Sequence, residues 1–312
     1  MKIAVIGAGG VGGYFGARLA VAGNDVTFIQ RGPHLEAMRA GGLRVVSPLG
    51  DVELATVTAT DDTTDIGPVD VVLVTVKSGH TEQAADSIKA LLGSETAVIT
   101  LQNGIENEDR LVAVLGRGHV MGGTAYILSL IEAPGVIRHS GQNARIIFGE
   151  LDGALSPRAR AFHEVCRAAG IDAHLSADIG TELWVKFVFL CPHNGLTALT
   201  RLPIGRVRDD PECREILRQA TQELLALAAA RGIDLPAALR DDPMARYDAL
   251  PRDMTSSMHY DITHGKPLEL EWLNGAVVRM GRENGVATPV NQVIYAALRP
   301  WVDGAVDGAV DG

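Results

Sequence analysis

Three cysteines in 312 residues, Cys166, Cys191 and Cys213, are too few and too scattered for a disulfide framework. Cys166 lies in an apolar helical pattern and reads as a small core residue. A metal centre is not expected either. Cys191-Pro192-His193 is the nearest approach to a ligand motif, and no His, Cys or carboxylate cluster elsewhere has ligand spacing. The remaining histidines, at 34, 80, 119, 139, 163, 174, 259 and 264, are dispersed and read mostly as surface or loop residues.

Basic charge is also short, with 28 Lys and Arg against 38 Asp and Glu and a net charge of −10. A nucleic-acid surface is therefore not expected, because neutralising phosphates takes clustered cations. A local basic pocket for a small anion remains compatible with that balance. No apolar run approaches the length of a membrane span; Val69 to Val76 reads as a buried strand interrupted by Asp70 and Thr75. The N-terminus carries one lysine and then a glycine-rich turn rather than a signal-peptide apolar region, so a cytoplasmic location is expected.

The length points to two domains, and 46% hydrophobic residues can fill their cores. The most specific feature is at the start. Ile3, Val5 and Ile6 form a short strand that runs into Gly7-Ala-Gly9-Gly10-Val11-Gly12, which opens an amphipathic run to Ala22. Gly7 permits a tight turn, Gly9 a close approach to a pyrophosphate, and Gly12 close helix–strand packing. Gly10 and Val11 complete a loop whose N–H groups, at a helix N-terminus, favour anionic phosphate. A second strand over 25–29 supplies the context that separates this motif from a glycine-rich surface turn.

That strand ends at Arg31, where an NAD site usually places an acid. A guanidinium there suits the extra phosphate of NADPH; the alternative is a solvated charge opening the turn Arg31-Gly32-Pro33. Strands at 69–76 and 97–101 alternate with helices at 81–92 and 106–115, the pattern of a doubly wound parallel sheet. The segments 124–130, 135–139 and 144–148 read as antiparallel additions at the sheet edge, closed by a helix at 157–169. Beyond about Asp178 the periodicity is helical, at 179–190, 211–231 and 268–284. The expected organisation is an α/β Rossmann-type dinucleotide-binding domain over 1–175, an all-α domain over 178–302, and a disordered low-complexity tail over 303–312. In such a sheet ligands sit outside the carboxyl ends of the strands, which brings Lys77 and Asn103-Gly104 towards the same crevice as the glycine loop. Lys77 would meet a phosphate or ribose there, or be a surface charge, and Asn103-Gly104 could be a simple turn.

The chain resembles the ketopantoate reductase family, the NADPH-dependent 2-dehydropantoate 2-reductases. The resemblance rests on Gly7-Ala-Gly-Gly-Val-Gly12, Val74-Thr-Val-Lys77, Leu101-Gln-Asn103-Gly104, Lys186 with Asn194-Gly-Leu-Thr-Ala198, and Ser256-Ser257-Met258 followed by Glu269. It implies a Rossmann domain, a helical C-terminal domain and a cleft that closes over NADPH and a 2-oxo acid, in a monomer or homodimer. By resemblance Lys186 is the proton donor and Glu269 the acid that helps order the lysine, the substrate or the cofactor end of the site. Ser257 would bind the substrate carboxylate, Asn103 and Asn194 would donate to substrate oxygens, and Asn103 would also line the cofactor site.

The family pattern places Asn four residues after the lysine and again four later; this chain has Leu190 in the middle position. Four residues return to nearly the same helix face, so Leu190 is expected to put hydrocarbon where an amide would stand. His193 offers a compensating polar group, although Pro192 leaves its direction open. Reduction of ketopantoate to pantoate in pantothenate biosynthesis is the expected reaction. A paralogous reductase of another branched or aromatic 2-oxo acid, and a noncatalytic NADPH-binding sensor, are the alternatives.

Overall fold

The computed structural model describes residues 1–304, which form two compact units. One comprises Met1–Gln102 with Glu106–Glu182, and the other Asn103–Ile105 with the chain from Leu183 onward. Of the tail expected at 303–312, residues 305–312 lie outside the described residues. Gly304 closes a last turn, donating its N–H to Trp301 O at 3.0 Å.

The first unit runs β1 (Lys2–Ile6), α1 (Gly10–Val21), β2 (Asp25–Ile29), α2 (Gly32–Gly41), β3 (Leu43–Val46), β4 (Val52–Leu54), β5 (Thr58–Thr60) and β6 (Val71–Val74). It continues through α3 (Thr81–Ile88), β7 (Ala97–Thr100), α4 (Asn107–Leu115), β8 (Val120–Ala133), β9 (Val136–Glu150), α5 (Pro157–Ala168) and β10 (Asp172–Leu175). These strands make one sheet in the order β4-β3-β9-β8-β7-β6-β1-β2-β5, with β10 beside β9. From β8 through β7, β6, β1 and β2 to β5 all pairing is parallel. The alternation of β1 shows why both faces must be covered. Ile3 and Val5 enter one core with Phe15, Phe28 and Phe148, while Ala4 and Ile6 enter the other with Val72, Val74 and Ile88.

The segments expected as antiparallel additions at the edge are instead one long hairpin, β8–β9, in the interior of the sheet. Within the hairpin β8 and β9 pair antiparallel, while β8 continues the parallel array beside β7 and β9 accepts β3 and β10 as parallel neighbours. The reason is β3, whose Leu43 and Val45 face the core and which carries β4 beyond it.

The second unit takes over early in α6 (Ile179–Thr200) and contains α7 (Ile204–Asp209), α8 (Pro211–Ala230), α9 (Ala237–Asp241), α10 (Ala245–Asp248), α11 (Ser257–Thr263), α12 (Asn274–Asn284) and α13 (Pro289–Leu298). Among the described residues no strand follows β10. In α8, Asp210 caps the N-terminus through Cys213 N–H, and Leu217, Ala220, Thr221, Leu224, Leu227 and Ala228 form the buried stripe.

α6 runs straight through Pro192, past the expected end at Leu190. Proline removes the N–H that Val188 O would accept and crowds the turn before it. The fully buried Tyr247 of α10 offsets this: its hydroxyl lies 3.1 Å from Phe189 O and 3.5 Å from Val188 O. The hydroxyl's one proton is nearer Phe189 O than Val188 O, so a tertiary donor serves the pair of carbonyls beside the proline gap.

Candidate active site

In the first unit the chain reverses its winding direction at β1, whose neighbours are β2 and β6, the switch point where a doubly wound sheet opens at its carboxyl end. The glycine loop leaves β1 there. Gly7 has φ +94°, and a Cβ on it would meet Val76 N at 2.8 Å; a Cβ on Gly12 would meet Gly7 O at 2.4 Å. At Gly9 a Cβ would meet nothing within 4 Å, so the backbone is bare to an approaching group. Thr75, just after β6, anchors the loop by its hydroxyl, 2.8 Å from Gly7 O and 3.1 Å from Ile6 O. Arg31 follows β2, is exposed and occupies the N-cap position of α2. Lys77 follows β6 at the N-cap of a short 3₁₀ turn and is likewise exposed. Bare loop backbone, a helix N-terminus and an arginine beyond the second strand fit a phosphorylated dinucleotide.

Two histidines expected at the surface are buried. His34 Nδ1 accepts Gly135 N–H at 3.0 Å, so Nε2 carries the proton and donates to Ala8 O at 3.0 Å. Burial lowers its pKa against the raising effect of that Ala8 bond, in keeping with a neutral ring. His34 therefore ties α2 and the tip of the β8–β9 hairpin to the glycine loop. His139 sits between Ser47 Oγ (2.8 Å) and Asn143 O (3.1 Å). Sequence reasoning missed both because Ala8, Gly135 and Ser47, which hold them, are far along the chain.

In the second unit, Lys186, Asn103 and Glu269 form one polar cluster. Lys186 Nζ donates to Asn103 Oδ1 at 3.0 Å, and Asn103 Nδ2 lies 3.4 Å from Glu269 Oε2. Lys186 is only 8% exposed, and burial pushes its ammonium down to about 8; Glu269 opposes that shift and Arg246 adds to it. A lysine in this state is charged at neutral pH but gives up its proton far more readily than a solvated one.

Asn194, two turns after Lys186 on α6, is fully buried. Its Oδ1 accepts Met258 N–H at 3.0 Å and the Ser257 hydroxyl at 3.2 Å, and its Nδ2 donates to Leu190 O at 2.9 Å. Its amide thus joins α6 to the start of α11. Ser256 caps α11 through His259 N–H and meets Thr197 Oγ1 at 2.7 Å. Leu190 is half-buried and packs against the helical core. His193 is buried, and its Nε2 has no hydrogen-bond partner. Burial, Arg246 and His259 push its pKa down to about 4, so the ring is neutral.

Arg246, which the sequence did not single out, stands with its guanidinium carbon 4.2 Å from the centre of the Phe189 ring. That ring lies 5.4 Å from His193 and 5.1 Å from Tyr247, tilted about 30° to each. Among the described residues there is no group of three or more His, Cys, Asp or Glu side chains placed to hold a metal ion, and no helix is long and apolar enough to cross a membrane.

A glycine loop at the switch point of a doubly wound sheet, joined in one chain to a helical unit with a buried lysine–asparagine–glutamate cluster, defines a dinucleotide-binding oxidoreductase. The profile of ketopantoate reductase PanE/ApbA matches residues 3–153, and that of its C-terminal domain matches residues 178–301. The chain belongs to the ketopantoate reductase family. It is 34% identical over 298 residues to the 2-dehydropantoate 2-reductase of Archaeoglobus fulgidus, covering 96% of this chain and 97% of that protein. The crystal structure of 2-dehydropantoate 2-reductase from Geobacter metallireducens superposes with a TM-score of 0.89 at 32% identity, covering 96% of this chain and 99% of the other. The fold also extends to D-mandelate dehydrogenase, solved with NADH and anilino(oxo)acetate, at a TM-score of 0.86 and 23% identity.

Proposed function

We propose that this protein reduces a 2-oxo acid to the 2-hydroxy acid with NADPH, and that Lys186 is the proton donor. The observation that carries this reading is the buried Lys186 ammonium, held 3.0 Å from Asn103 Oδ1 and kept charged by Glu269. A reduced nicotinamide bound in the first unit would supply the hydride that the carbonyl carbon takes up, becoming oxidised itself. As the C=O electron pair moves onto oxygen, Lys186 Nζ donates a proton there, so the alkoxide is quenched as it forms. Asn103 fixes the direction of the ammonium, and Glu269, bonded to the same asparagine, holds the charge in place until that transfer. A scaffold that only sensed the cofactor would need no such buried acid.

The first unit contributes Gly7, Gly9, Gly10, Val11 and Gly12 as the phosphate cradle, with Arg31 on the 2′-phosphate and Lys77 on ribose or phosphate. Ser257, placed by Asn194, and Asn103 are read as substrate contacts. Asn194 itself is read as the residue that positions Ser257, since its amide is already bonded on both sides.

The substrate is read from Leu190, the fourth residue after the lysine on α6. Leu190 removes an amide that would hydrogen-bond a hydroxylated side chain, which favours a 2-oxo acid with an apolar side chain over ketopantoate. The test is NADPH oxidation followed at its absorbance band with a panel of 2-oxo acids that includes ketopantoate and branched and aromatic members. Turnover with a higher kcat/KM for the apolar acids supports the reading. Absence of turnover across the panel overturns the reaction, and a strong preference for ketopantoate overturns the role of Leu190.

A further inference from the structure

The polar side chains around Lys186 are largely bonded to one another. Asn103 Oδ1 holds Lys186 and its amide reaches Glu269; Asn194 is engaged on both sides; and the single hydroxyl proton of Ser257 points to Asn194 Oδ1. A 2-oxo acid brings a carboxylate whose lone pairs outnumber the single proton that the Ser257 hydroxyl supplies when it turns from Asn194 Oδ1. Arg246 has the matching chemistry. Its planar fork of five N–H donors pairs with a carboxylate in two parallel bonds.

Its location agrees. Phe189 and Leu190 are the third and fourth residues after Lys186, so both neighbour it on the surface of α6. Arg246 is held over the Phe189 ring at 4.2 Å, in reach of cation–π attraction, and that ring is braced between His193 and Tyr247. The guanidinium is thereby placed in advance on the stripe of α6 that bears the proton donor. Its positive charge is felt at both Lys186 and His193.

We propose that Arg246 is the specificity-determining residue that binds the substrate carboxylate, orienting a 2-oxo acid with its carbonyl oxygen at Lys186 and an apolar side chain towards Leu190. This rests on the reductase reading above and adds a residue to it. An acid bound this way brings a negative charge between two cations, so the anion is recognised and Lys186 stays protonated for its step.

The experiment compares a 2-oxo acid that the wild-type protein reduces with its methyl ester, in wild type, Arg246→Gln and Arg246→Lys. Arg246→Gln is expected to lower kcat/KM for the acid by about 10- to 100-fold, mainly through KM, and to change that for the ester by less than about threefold. Arg246→Lys, which keeps the charge without the fork, should recover part of the loss. The alkaline limb of kcat/KM for the ester should move to higher pH in Arg246→Gln, because a cation that disfavours charged Lys186 has gone. Equal losses for acid and ester, or no loss for either, would overturn the assignment. Calorimetric titration with oxamate, an unreactive 2-oxo acid analogue, in the presence of NADPH judges Arg246 without turnover. Weaker binding to Arg246→Gln supports the assignment, whereas equal binding, or no binding to wild type, overturns it. A wild-type protein that binds oxamate through Arg246 yet reduces no 2-oxo acid would refute the reaction and leave the anion site standing.

Discussion

Arg31 and Glu108 show how a single charge is read at opposite extremes of solvation. Arg31 is exposed at the start of α2, where a phosphate can reach it. Arg31→Asp turns a phosphate contact into a repulsion, so kcat/KM with NADPH should fall by at least about tenfold relative to that with NADH, the scale of a lost charged hydrogen bond. An unchanged ratio of the two cofactors would remove Arg31 from the site. Glu108 lies in the first turn of α4, buried, and its pKa is pushed by that burial from 4.5 to about 7 despite accepting from its own N–H and that of Gly123. The folded protein holds its proton where the unfolded chain has lost it. Its contribution to stability is therefore complete below about pH 4.5 and is lost as pH rises through 7, by up to about 3 kcal/mol. Glu108→Gln keeps the shape without the charge. Its Tm should match wild type near pH 4.5 and exceed it at pH 8; parallel Tm curves would contradict the shift. Sequence singled out Arg31 by its position after a strand, and that position is where the structure has it. Glu108, His34 and Arg246 were not legible, since burial and partners far along the chain define each of them.

At the scale of elements, α6 depends on a tyrosine from another helix. Removing the Tyr247 hydroxyl leaves the Phe189 and Val188 carbonyls without that donor in a buried setting. Tyr247→Phe should cost about 1–3 kcal/mol in urea denaturation. In a Pro192→Ala background, where residue 192 regains an N–H for Val188 O, the same change should cost less; an equal cost in both backgrounds would show that the tyrosine does not serve the proline gap. A residual cost is expected, because Thr221 Oγ1 also lies 3.1 Å from that hydroxyl. Element boundaries were most legible where the period was strong and the flanks punctuated. The strand read at 25–29 is β2 itself, and the glycine fingerprint opens α1. Strands β3, β4 and β5, of four, three and three residues, are too short to show a period. The end of α6 was misjudged at Pro192 because local rules forbid what Tyr247 permits. The lysine–asparagine–glutamate cluster was accessible only through resemblance: residues 103, 186 and 269 share no local pattern, and their meeting is a product of tertiary structure.

For the whole molecule the two units divide the chemistry. In the proposed reaction the sheet unit supplies the phosphate cradle, its glycine loop held by Thr75 and His34, and the helical unit supplies Lys186 as proton donor with Asn103 beside it. A change confined to the donor should therefore abolish reduction without abolishing cofactor binding, a separation that a structural lysine would not produce. The most direct measurement pairs steady-state NADPH oxidation with a fluorescence titration of NADPH, for wild type and Lys186→Ala, using the best 2-oxo acid of the panel. Lys186→Ala should lower kcat by about two to four orders of magnitude, the range of a lost general acid, while the Kd for NADPH changes by less than about threefold. A kcat within a few-fold of wild type, or a loss of NADPH affinity as large as the loss of turnover, would contradict the assignment of Lys186 as the proton donor.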